Sequence, residues 1–166
     1  MLSDHSVRTV PTSPTNTLDQ AAVSRLVSSV LHESSGAAFA GMSNRAPRLG
    51  VDVVDIEILA RQLTSRIGDV FTHRIFTEDE ITDCRNQAAK FATRWAIKEA
   101  VSKAIGTGFR EGFRPKAIEV LTAGNGAIQI APTLGQVWPH NADQWKWVVS
   151  AAHESNVAVA VAVALS

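Results

Sequence analysis

The chain contains no tyrosine and one cysteine, Cys84, in 166 residues. A lone cysteine excludes an intrachain disulfide, so a folded core must hold the chain together, and a reducing, cytoplasmic compartment is compatible. An excess of charge is also missing. Lysine plus arginine and aspartate plus glutamate both number 16, which argues against a nucleic-acid binder driven by a broad basic face. No apolar run approaches the ~20 residues of a membrane span. The longest, the valine–alanine tail at 157–165, is too short and reads as a strand. The first residues, with Asp4 and no apolar stretch, do not read as a secretory signal, and three acids beside three arginines in 1–46 poorly suit a mitochondrial one. What the chain does have is 45% hydrophobic residues, the content of a globular protein with one well-formed core and room for an appendage.

Residues 1–16 are rich in serine, threonine and proline without periodicity and read as disordered. Thr17 and Gln20 have capping-box spacing, and Val23, Leu26, Val27, Val30 and Leu31 follow at helical intervals, so a helix is expected to about residue 32. Residues 34–47 are a linker by composition. The expected organisation is an N-terminal extension over 1–47 and one domain over 48–166. Within that domain, 49–54 reads as a strand and 56–66 as a helix broken by Gly68. Thr77 and Glu80 form a second capping box, opening a helix over about 78–86. A long helix over 88–105 ends at Gly106, a left-handed cap suited to glycine. Two hairpins follow, 118–122 with 127–130 and 148–152 with 157–165. Along 157–163 valine alternates with alanine, giving one bulky face and one that packs closely. The fold class is α+β, antiparallel strands packed on one long helix.

Phe91, Trp95, Glu99 and Lys103 are each four apart and share one stripe of the long helix. The ordinary reading of Glu99 and Lys103 is a surface ion pair contributing ~0.3–0.5 kcal/mol. Phe91 and Trp95 belong in a core, however, and a glutamate continuing a buried stripe needs a compensating cation. The segment GVDVVD at 50–55 reads as a buried strand ending on the carboxylate Asp52. Asp52 competes with Asp55 for the role of helix cap. Asp52 and Glu99 on two rigid elements, with Lys103 one turn on, are what a magnesium–diphosphate site needs. Lys98 points about 100° away from Glu99, and it and Lys103 can equally be solvated. His153 falls in the turn of the second hairpin, where a histidine is more often solvated than catalytic. Trp138, Trp145, Trp147 and His140 read as closing the core edge or a surface loop. The glycine-rich run after the helix, with Gly106 and Gly108, could bring backbone amides to phosphate, although it lacks the field of a helix N-terminus.

The pattern G-[IV]-D followed by F-x-x-R-[WF]-A-x-K-E-A-x-x-K-A-x-G-T-G, here at 50–52 and 91–108, resembles holo-[acyl-carrier-protein] synthase, the small 4'-phosphopantetheinyl transferase. The resemblance covers roughly 48–166. It implies that Asp52 and Glu99 ligate Mg²⁺, that Lys103 faces the phosphates of coenzyme A, and that the glycine turn at Gly106 and Gly108 and His153 contribute to coenzyme A binding. Ser150-Ala151-Ala152-His153 matches a third signature, S-x-[ST]-H, except that Ala152 replaces its hydroxyl residue. In many members the helix after the aspartate is basic and docks the acidic carrier protein. Here that stretch is Asp55-Ile-Glu-Ile-Leu-Ala-Arg61, so a carrier domain inside a larger fatty-acid or polyketide synthase is as suitable a partner as a free carrier.

The implied reaction moves 4'-phosphopantetheine from coenzyme A to a serine of an apo carrier and releases 3',5'-ADP, by positioning and charge neutralisation. The base for the serine is left open between a metal-associated water and a carboxylate such as Glu80. The resemblance further implies a homotrimer with sites between subunits. The alternatives are a coenzyme A binder without transfer activity and a structural domain of a synthase system.

Overall fold

The structure, a computed structural model, describes residues 47–110 and 112–165. The helix expected at 17–32 and the linker up to residue 46 lie outside the described residues. Strand β1 (Arg48–Asp55) leads into helices α1 (Ile56–Leu63), α2 (Gly68–Ile75), α3 (Glu78–Cys84) and the long α4 (Ala88–Ile105). After a short 3-10 turn come β2 (Ile118–Thr122) and β3 (Ile128–Pro132). A second 3-10 segment, Pro139–Gln144, precedes β4 (Lys146–Glu154) and β5 (Val157–Leu165).

The strands make two antiparallel sheets, β1-β5-β4 and the hairpin β2-β3. Helix α4 lies across the larger sheet. The alternation in β5 decides which face it covers, because successive strand residues point to opposite sides. Ala158, Ala160, Ala162 and Ala164 are fully buried, and their register partners on β1 include Gly50 and Asp52. A Cβ on Gly50 would fall 1.8 Å from the Ala100 carbonyl oxygen and 2.7 Å from the Ala104 nitrogen. Glycine therefore lets strand and helix meet main chain to main chain. The opposite face carries Leu49, Val53 and Val148, which are 40%, 46% and 62% exposed, and beside them Val159 and Val161 in register.

Helix boundaries follow their caps. Asp55 accepts the Ile58 amide at 2.9 Å and caps α1. Thr77 and Glu80 form the expected capping box on α3, and Gly106 closes α4 at φ 93°. One expectation is corrected. The helix expected over 56–66 stops at Leu63, where Thr64 and Ser65 turn their hydroxyls back onto the Ala60 and Gln62 carbonyls. Gly68 is the first residue of α2, and a Cβ there would lie 2.0 Å from the Leu63 carbonyl oxygen. Gly68 thus permits a tight junction between two helices. Among the described residues no helix is long and apolar enough to cross a membrane.

Candidate active site

The approach of Gly50 to Ala100 and Ala104 sets Asp52, two residues along the same strand face, against the stripe of α4 that carries Glu99 and Lys103. Lys103 Nζ donates to Asp52 Oδ1 at 2.6 Å and to the Val51 carbonyl at 3.1 Å. The aspartate side chain is 14% exposed and the lysine 49%. Asp52 is not at the strand end, as the sequence suggested, because β1 runs three residues further. The capping role that competed for Asp52 belongs to Asp55. Its carboxyl lies below the ordinary aspartate value, chiefly through the Ile58 amide and also through the Asn156 side chain.

Glu99 is half-buried, and its carboxyl is raised above the ordinary glutamate value by burial first and by the charge of Asp52 second, with Lys103 opposing both. Asp52, Glu99, Trp95, Ile58, Leu59 and Gln62 line a cavity of about 300 Å³. The donor set is two carboxylates, with Asp52 adding to the cost of ionising Glu99, opened to solvent, and with the Lys103 ammonium alongside. Among the described residues no group of three or more acidic, histidine or cysteine side chains could by itself hold a metal. Two carboxylates without a third protein ligand suit Mg²⁺, which keeps waters and takes substrate phosphate oxygens.

His153 lies within β4 and not in the turn, which is formed by Ser155 and Asn156. Its Nδ1 sits 3.3 Å from Thr93 Oγ1. Together with Lys90, Thr93, Arg94 and Thr122 it lines a second cavity of about 270 Å³. Arg94 is buried there beside Asp83. Within one chain His153 therefore does not line the cavity of Asp52 and Glu99. Ser150 is three residues away along a strand, so it faces the other side of the sheet. The amides of Gly106 and Gly108 both donate to the Ser102 carbonyl, at 3.2 and 3.3 Å. They cap the helix, and neither glycine lines either cavity.

The largest difference from the sequence reading is Lys98. It is not solvated but fully buried. Its Nζ donates to Glu80 Oε2 at 2.8 Å, to the Pro115 carbonyl at 3.1 Å and to the Ile118 carbonyl. Burial holds the ammonium below the ordinary lysine value, with Glu80 pulling it back. Glu80 is also fully buried and accepts the Thr77 and Val120 amides. Its oxygens are committed, which removes it as a base for a substrate hydroxyl. Lys98 continues the spacing of Arg94, Val101 and Ile105, all buried. That second stripe was the available signal.

The chain matches the model of the 4'-phosphopantetheinyl transferase superfamily over residues 48–162. It is 35% identical to the holo-[acyl-carrier-protein] synthase of Protochlamydia amoebophila over 120 residues, covering 69% of this chain and 94% of that one. It is 40% identical to the enzyme of that name from Dinoroseobacter shibae over 87 residues, 49% of this chain and 62% of that one. Less than two thirds of the latter's length is thus spanned. Among solved structures, the acyl carrier protein synthase of Mycobacterium tuberculosis superposes with a TM-score of 0.56 at 30% identity, covering 72% of this chain and 96% of that one. A coenzyme A complex of the synthase of Chronobacterium ammoniagenes gives 0.62 at 26% identity, covering 72% and 97%. By sequence and by fold, the chain belongs to the 4'-phosphopantetheinyl transferase superfamily, among the holo-[acyl-carrier-protein] synthases.

Proposed function

We propose that the chain transfers the 4'-phosphopantetheine group of coenzyme A to a serine of an apo acyl carrier protein or carrier domain. The observation that carries the reading is Asp52 and Glu99, from a strand and a helix whose main chains touch, lining one cavity beside Lys103. In the reaction the serine oxygen forms a bond to the β-phosphorus as the bond to the bridging oxygen breaks. The 3',5'-ADP departs, and the serine proton passes to a cavity carboxylate or to solvent. Asp52 and Glu99 would hold Mg²⁺, which neutralises charge on the diphosphate when bound. Lys103 orients and neutralises phosphate oxygens at the cavity edge. The chemistry asks mainly for position and field, which rigid elements supply.

Coenzyme A carries a phosphate on its ribose besides the diphosphate, and the cavity that His153 lines, where Lys90 and Arg94 outnumber Asp83, has a net positive charge to receive it. That cavity is separate from Asp52 and Glu99 in one chain, which fits sites completed between subunits. The outward face of Leu49, Val51, Val53, Val159 and Val161 is the surface a homotrimer would cover. Exposed Ile58 and the paired Glu57 and Arg61, 3.8 Å apart, line the approach on α1. They fit a carrier that docks without a strong demand for cations. The lone, buried Cys84 suits a cytoplasmic setting. The test is to incubate the protein with coenzyme A, Mg²⁺ and several apo carriers and weigh the products. A mass gain of one phosphopantetheine that requires Mg²⁺ and is abolished in a folded Glu99→Gln variant is expected. Transfer at the wild-type rate by that variant, with Mg²⁺ limiting, refutes the metal assignment.

A further inference from the structure

The geometry points to Lys103 as a placeholder for the metal: its ammonium is held on Asp52, one of the two carboxylates that would hold a divalent ion, so metal and phosphate bind as a coupled pair. The inference rests on the magnesium-site reading above and concerns how that site is filled. Lys103 Nζ is 2.6 Å from Asp52 Oδ1 and is anchored a second time on the Val51 carbonyl at 3.1 Å. A divalent ion on Asp52 and an ammonium 2.6 Å from its Oδ1 repel one another, so the two compete for the carboxylate. The lysine is released as the ion is seated.

The stem makes that exit feasible. Lys103 is 49% exposed, whereas Asp52 is 14% exposed. The ammonium can swing on its four-carbon stem while the carboxylate stays. Glu99 lies on the same stripe one turn earlier, half-buried and close enough to Asp52 for the two charges to oppose each other. Without a divalent ion the pair needs some cation, and Lys103 supplies it. Once displaced, the ammonium is a free donor at the edge of the cavity, where a phosphate gives it a new partner. A phosphate ligand thereby removes the competitor of the metal. By linkage the metal must strengthen phosphate binding by the same factor.

The experiment measures Mn²⁺ binding to the full chain from loss of the free-ion paramagnetic resonance signal, with and without coenzyme A. The wild type, Lys103→Met, Lys103→Arg and Glu99→Gln are compared. Lys103→Met keeps most of the stem and removes the charge. Without coenzyme A it should bind Mn²⁺ about twofold to fivefold more tightly than the wild type, the scale of one partly exposed ion pair. After correction for Mn²⁺ bound by coenzyme A alone, coenzyme A should tighten Mn²⁺ binding in every variant through its own phosphate oxygens. The factor should be larger in the wild type and in Lys103→Arg, which keeps a cation on Asp52, than in Lys103→Met; an equal factor in all three overturns the placeholder. Thermal melting without metal should fall in Lys103→Met and recover on adding Mn²⁺ by more than the wild type gains. Equal or weaker Mn²⁺ binding by a folded Lys103→Met protein overturns the placeholder. If Glu99→Gln binds Mn²⁺ as well as the wild type in the presence of coenzyme A, the metal site itself is misassigned. The two failures are therefore distinct.

Discussion

Lys98→Met tests the buried network that the site stands on. The substitution keeps much of the side-chain volume and removes one charge from a pair in which both members are fully buried. Glu80 would remain with the Thr77 and Val120 amides but with no counter-ion. The Pro115 carbonyl and the Ile118 carbonyl would each lose their lysine donor. Breaking a buried pair from one side costs about 3–5 kcal/mol, against a total stability of roughly 5–15 kcal/mol for a domain. At about 3–5 °C per kcal/mol for a domain of this size, melting should fall by ~10–20 °C. Calorimetry at neutral pH measures the loss. Glu80→Gln should cost a similar amount, because it strands the ammonium. The double variant should cost less than the two single losses summed, by about 2–3 kcal/mol. A loss under about 1 kcal/mol for Lys98→Met, or two single losses that simply add, would mean that water reaches the pair and that it does not brace the helix.

Gly50→Ala should cost about 1–3 kcal/mol through overpacking and lower transfer more than stability, because the added Cβ meets main-chain atoms of Ala100 and Ala104. Ala100→Gly should not rescue it, and wild-type turnover at the wild-type melting temperature would put the strand farther from the helix. In protein free of divalent ions, carbon-13 resonances of Glu99 should titrate above the ordinary glutamate value, and Asp52→Asn should bring them down. A carboxyl raised on folding stabilises the fold only while protonated. That contribution is present below the ordinary glutamate value and lost as pH rises through the raised one. Glu99→Gln should therefore narrow the acid-to-neutral loss of stability in metal-free protein, and an unchanged pH profile would contradict a Glu99 carboxyl raised by burial and by Asp52. A chain beginning at Pro47 should keep activity on a free carrier, since every matched motif lies beyond it. A truncated protein that folds but is inactive toward all carriers would move the domain boundary.

Elements with strong local codes are legible in the sequence. The Thr77–Glu80 capping box, the Gly106 stop and the valine–alanine alternation each act within one or two turns of chain, and each appears in the structure where it is expected. The approach of Asp52 to Lys103 spans 51 positions and has no local code. The family resemblance implies it, and the Gly50 contact explains it. The break expected at Gly68 rests on propensity, whereas the residue sits at a helix–helix junction whose demand is space. Lys98 is hard to place from sequence because a charged residue beside a candidate ligand reads as surface. Its partner Glu80 reads as part of a cap, and the cap is what holds it in the interior to receive the lysine. His153 belongs to the strand rather than the turn, since a turn formed by Ser155 and Asn156 leaves no mark that separates it from the strand end.

Lys98 and Lys103 have a joint effect on α4 that neither has alone. One ties a flank of the helix to α3 and β2, and the other ties a different flank to β1. In the metal-free protein the helix is thereby held against rolling about its own axis, and Lys98 keeps its tie after Lys103 has moved to a phosphate. A roll of about 10° would carry a side-chain tip at a radius of ~5–6 Å through about 1 Å, a displacement on the scale that can cost ~100-fold in rate. Precision at Glu99 is in this sense angular, and torque applied at the far flank, through Glu80 or the segment around Pro115, would be felt at the carboxylate without any change in what touches the substrate.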